Sequence, residues 1–215
     1  MKNFSFSKIQ KKRKVFMKKN SSHDHVVVKG SGKVMISAPH GVSQVRLGKF
    51  KYSEIGSLTT SLYLQSETES ALIAKTKNNN DDANFEVNCP YRRTLKDYIS
   101  ANKIEYLIDI HGLSAERGYD VNFGTHLGQN IESNPELLKT LCDKLKKNGF
   151  SISIDQPFMA GAQTISGAMK KEFPNLWTIQ IEINYAITNK IENVDRYECL
   201  LEILKNWIDD LNKIW

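Results

Sequence analysis

The sequence predicts a single α/β domain in which a mixed, mostly parallel sheet is flanked by helices. Short apolar segments of strand length alternate with amphipathic segments of helix length along most of the 215 residues. Two of the apolar segments run directly into a His-Gly pair, at Pro39-His40-Gly41 and at His111-Gly112; the carboxyl ends of strands are where open α/β sheets bind ligands. With 40% apolar and 25% charged residues, the chain can build one sizeable core and extensive disorder is excluded.

Residues 1–22 are set apart by charge. The first twenty residues hold eight Lys or Arg and no acid, whereas the rest of the chain holds 22 basic against 24 acidic residues. The net charge of +6 is therefore a property of the terminus, which is expected to be a flexible, solvated tail ahead of a domain over 23–215. No apolar stretch follows the charges as in a secretory signal. No run reaches the roughly 18 apolar residues of a membrane span. Cys89, Cys142 and Cys199 are scattered and form no CxxC pair, which argues against a disulfide framework or zinc ribbon and fits a reducing, cytoplasmic setting.

Within the domain, His25–Lys29 and Lys33–Ala38 read as strands around a Gly30-Ser31-Gly32 turn. Ser53–Gln65 carries Leu58, Leu62 and Tyr63 on one helical face, and Ala71–Lys75 is a further strand. Thr94 can cap a short helix bearing Leu95, Tyr98 and Ile99, and Ile104–Ile110 is the clearest strand. Tyr119–Gly124 reads as a strand. A helix follows with Asn134 as cap, Pro135 in its first turn and Gly149 as its stop; its stripe of Leu137, Leu138, Leu141, Cys142 and Leu145 makes Cys142 a core residue. Phe150–Ile154 is a strand, 157–168 a loop, Thr178–Ile183 an alternating strand and Asp195–Leu211 an amphipathic helix.

The sequence contains no HExxH, GxSxG, Walker A or complete GxGxxG motif. What remains is His40, His111 and Glu182, each ending or interrupting an apolar strand. Two imidazoles and a carboxylate form a common catalytic zinc set that leaves one position for water. Asp109 lies two residues before His111, so strand alternation puts both on one face, where Asp109 can fix the imidazole. Gln180, Glu182 and Asn184 share one face of their strand, as either a solvated edge or the floor of a site in which Glu182 serves as general base.

Taken together, Pro39-His40-Gly41, Glu54, Asp82-Ala83-Asn84, Asp109-Ile110-His111-Gly112, Phe123-Gly124-Thr125 with Gly128, Pro157-Phe158 with Gly161, and Gln180-Ile181-Glu182-Ile183-Asn184 follow an order that resembles the N-formylglutamate amidohydrolase family over about residues 34–189. The resemblance implies a phosphorylase/hydrolase-like fold akin to zinc carboxypeptidases and aminoacylases, with one Zn²⁺ per chain and water-mediated cleavage of a carbon–nitrogen bond in an N-acyl amino acid. It implies His40, Glu54 and His111 as metal ligands and Glu182 as base. The family's Arg after the D-x-N pair is Phe85 here, so Arg93 is expected to stabilise the oxyanion, with Asn84, Arg92, His126, Gly161 and Asn184 facing substrate. Rival expectations are a metallopeptidase or deacylase acting on a short peptide or another acylated amine, and a non-catalytic protein whose basic tail contacts nucleic acid. The last is disfavoured.

Overall fold

The computed structural model describes residues 6–18, 22–189 and 191–214. Seven strands form one sheet: β1 (His25–Val28), β2 (Val34–Ala38), β5 (Ala71–Lys75), β6 (Tyr106–Leu113), β7 (Val121–Gly124), β8 (Ile152–Ile154) and β9 (Trp177–Asn184), in the spatial order β1-β5-β2-β6-β9-β7-β8. The β5-β2-β6-β9 block and the β7-β8 pair are parallel, while β1 on β5 and β7 on β9 are antiparallel. β3 (Gln44–Arg46) and β4 (Lys49–Lys51) make a separate two-stranded hairpin.

Strand alternation sorts the sheet into two unlike faces. Val34, Ile36 and Ala38 of β2, Ile108 and Ile110 of β6, and Trp177, Ile179, Ile181 and Ile183 of β9 pack against α2 (Ile55–Glu67), α4 (Glu136–Lys147) and α7 (Val194–Lys213). The opposite face carries Met35, Ile73 and Leu107 against α3 (Pro90–Ala101) and α5 (Ile165–Glu172). Towards the carboxyl ends of β6 and β9 this second face changes from apolar to Asp109, His111, Gln180 and Glu182, all buried. The polar stripe of β9 is thus buried rather than a solvated edge.

Several expectations are corrected. Residues 6–17, expected to be a solvated tail, form helix α1 (Phe6–Met17). Ile9 and Phe16, seven residues apart, lie on one helical face and enter the main core at 5% and 4% exposure. Burying two such side chains contributes about 1.5–3 kcal/mol each, and the lysines remain on the solvent side. Helix α3 begins four residues before Thr94, with Pro90 in its first turn, and Thr94 Oγ1 lies 2.9 Å from His25 Nε2. Strand β6 continues three residues past Ile110, so His111 sits inside a strand. The 157–168 loop ends at 164, where Thr164 caps α5 by accepting from Gly167 N. Helix α4 starts after Pro135, with no side-chain cap from Asn134.

Candidate metal centre

His40 directly follows β2, where the chain turns sharply; a side chain at Gly41 would press on the Lys75 carbonyl at 3.0 Å. Glu54 precedes α2 and its backbone N–H donates to the His40 carbonyl at 2.9 Å, closing the intervening hairpin into a loop. The Glu54 carboxylate makes no helix cap. It turns instead to His40 Nδ1 at 2.7 Å and His111 Nδ1 at 3.5 Å, and the two Nδ1 atoms lie 3.1 Å apart. Donors on one tetrahedral ion at bond lengths near 2.1 Å are about 3.4 Å apart, so the trio has the spacing of a ligand set. Gly112 permits it: a Cβ there would meet Glu54 at 3.3 Å, and its N–H donates to Glu54 Oε2 at 2.8 Å.

The outer nitrogens of both rings are occupied. His40 Nε2 lies 2.9 Å from Asp82 Oδ1 and His111 Nε2 lies 3.0 Å from Asp109 Oδ2. Each carboxylate orients its ring so that Nδ1 faces inward, and makes it a better donor. Asp82 is itself held by Arg46 Nε at 2.7 Å. Burial opposes charge on these imidazoles, but the Glu54 charge and the Asp82 contact hold the His40 pKa above its ordinary value, and Asp109 with Glu54 holds that of His111 well above. Burial likewise pushes Glu54 and Asp82 up, and it is outweighed by the facing imidazoles, so both carboxyls sit below the usual range. Two imidazole nitrogens and a carboxylate, with their donor atoms within 4.8 Å of one another, form a set that fits a divalent ion.

Glu182 is the register partner of His111 on the adjacent strand. It is 5% exposed, Gln180 Nε2 donates to its Oε1 at 2.7 Å, and burial pushes its pKa up to about 7. Together with His40, Glu54 and His111 it lines a cleft of about 430 Å³. Arg46 and Lys51 from the β3–β4 hairpin form a cationic wall of this cleft, and Phe85, Pro157, Phe158 and Met159 form an apolar one.

The other expected residues divide. Asn84 and Gly161 line the cleft, and Asn84 Oδ1 also accepts from Ile165 N at the start of α5. Arg93 is not brought there: it is exposed on α3 and donates to the Asn88 carbonyl. Arg92 is buried behind the cleft, donating to the carbonyls of Ala83 and Gln163, and thus braces the two loops that carry Asn84 and Gly161. His126 lies outside the cleft lining in a left-handed backbone conformation (φ 53°), with its N–H on the Met159 carbonyl. Asn184 ties the 117–119 loop through the carbonyls of Arg117 and Tyr119. Asp82, Arg46, Lys51 and Gln180 are the site residues that sequence reading did not assign; the Asp82-Ala83-Asn84 motif was a signal for the first.

No family model and no curated protein matches this chain. Its fold is shared with solved structures. N-formylglutamate amidohydrolase from Ralstonia eutropha JMP134 superposes with a TM-score of 0.69 at 10% identity, over 88% of this chain and 97% of that one. A bacteriophage poly-gamma-glutamate hydrolase gives 0.58 at 12% identity, covering 89% and 91%. A metallo-carboxypeptidase from Burkholderia cenocepacia gives 0.55 at 12% identity, covering 95% and 68%. The sequence resemblance and the fold thus point to the same group of architectures.

Proposed function

We propose that the protein is a zinc-dependent amidohydrolase that cleaves the amide bond of an N-acyl amino acid or a short peptide. The observation that carries this reading is the convergence of His40, Glu54 and His111 beside a buried acid, Glu182, in one cleft. Zinc held by those three side chains would supply Lewis acidity toward water and the amide carbonyl. Neighbours of the same fold named as an amidohydrolase, a hydrolase and a metallo-carboxypeptidase support the reading.

Glu182 is the proton carrier. A carboxyl whose pKa is raised to about 7 accepts a proton from attacking water near neutral pH and can return it to the departing nitrogen. Gln180 fixes its orientation. Arg46 and Lys51 take the role expected of Arg93, binding a substrate carboxylate or the developing oxyanion. Phe158 and Met159, each 40% exposed, suit an apolar acyl group or side chain. Arg92 positions loops and does not touch substrate.

The test is a panel of N-acyl amino acids and short peptides offered to zinc-loaded protein and to Glu182→Gln. The variant should bind the metal as the parent does and lose about 10²–10⁴-fold in kcat. Turnover undiminished by the substitution, or absent from the parent across the panel, would overturn the proposal.

A further inference from the structure

A second concavity lies far from the metal centre, between α1 and the carboxyl-terminal half of α2. It encloses about 460 Å³. Its floor is apolar, made by Phe16, Val28 and Leu62, and Lys8, Lys11, Lys12 and Val15 stand along its α1 side. These four follow an i, i+3, i+4, i+7 pattern, so they share one helical stripe. All are exposed; Val15, in the midst of the lysines, is 60% exposed. Lys14 and Lys18 add further exposed positive charge, and α1 contains no acidic residue.

We propose that α1 and this groove dock on an anionic lipid bilayer, with the lysines on headgroups and Val15 and the groove receiving acyl methylenes. The surface requires both a concentration of negative charge and an apolar component. A bilayer bearing anionic lipid supplies the two together, headgroup charge for the lysines and methylenes for Val15. A nucleic acid would satisfy the charge and leave Val15, 60% exposed among the lysines, uncovered. The groove shares no lining residue with the cleft: Glu54 precedes the first turn of α2, and Gln65, on the groove, lies eleven residues later, roughly 16 Å along the helix axis.

The experiment is vesicle flotation of the full chain with neutral phosphatidylcholine vesicles and with vesicles containing phosphatidylserine, at low and high salt. Binding is expected to the anionic vesicles alone and to weaken as salt rises. Each lysine near the surface is worth about fivefold. Lys8→Gln/Lys11→Gln should therefore weaken partitioning by about 25-fold and Lys8→Glu/Lys11→Glu/Lys12→Glu by more than 100-fold. Val15→Ser, which keeps every charge, should weaken it by a few-fold. All substituted side chains are exposed, and unchanged thermal melting and zinc content are to accompany each measurement. No partitioning of the parent at low salt, equal partitioning of the double variant, or an RNA or DNA affinity above that for vesicles with no effect of Val15→Ser would overturn the proposal.

Discussion

Two buried clusters contain histidine and carboxylates, one where the amino end of β1 meets the carboxyl end of β5 and one at the carboxyl ends of β2 and β6, yet they are built for different ends. In one, Lys75 lies between Asp24 and Asp81 with 1% exposure, and His25 spends both ring nitrogens, Nδ1 on Asp24 and Nε2 on Thr94. That cluster contains its own cation. In the other, His40 and His111 spend one nitrogen each on Asp82 and Asp109 and aim the second at each other and at Glu54. Among the described residues no lysine or arginine lies between the inner nitrogens; Arg46, on the cleft wall, bonds Asp82 instead. A lone histidine held on both sides beside a buried lysine is a structural element. A pair with converging inner nitrogens and anchored outer ones, beside a third donor, has the arrangement that could hold a cation.

The sharpest break of this contrast is His111→Ala, which should reduce metal content from about one ion per chain to near zero by elemental analysis, whereas His25→Gln should leave it intact. Next, Lys75→Met strands two buried carboxylates and should cost about 3–5 kcal/mol in denaturant unfolding while metal stoichiometry is unchanged; a loss of metal there would show that the clusters are coupled. Asp109→Asn should weaken zinc binding by about 10–100-fold in a chelator competition, because the outer nitrogen loses its charged partner.

The smallest effect is the pH dependence. His40 and His111 have folded pKa values above 6.5, so their contribution to metal-free stability is complete below about 6.5 and is lost as pH rises through the raised values. Glu54 and Asp82 are depressed, so theirs is present above about 4 and is lost as pH falls toward the lowered values. Zinc competes with the protons on the inner nitrogens. The rise in Tm on adding zinc should therefore grow between pH 6 and 8.5; a flat response would mean that the inner nitrogens carry no protons to displace.

The histidines were legible because each punctuates an apolar strand and precedes glycine, a local signal. Glu182 was legible by alternation alone. The arginine was not: Arg93 was favoured by its closeness in sequence to Asn84, but on a helix adjacent residues point about 100° apart, so Arg92 faces inward and Arg93 outward. The cationic wall of the cleft comes from a hairpin of three-residue strands, whose turn places Leu47 and Gly48 at φ of 51° and 74°. Such turns are recognised by Asn-Gly or Asp-Gly, and Leu-Gly gives no such sign. Helix α1 was hidden because eight basic charges dominate the first twenty residues and mask the Ile9–Phe16 spacing.

His111 and Glu182 face one another across a parallel ladder. The gap between the candidate ligand and the candidate proton carrier is accordingly set by interstrand spacing, about 4.8 Å, rather than by any connecting loop. The 157–161 segment can thus be lengthened or redesigned to admit new molecules without moving that pair, whereas the hairpin cannot be exchanged freely, because its Arg46 holds Asp82 behind His40. For an engineer, the candidate centre offers a pair of side chains fixed by the sheet and one replaceable wall.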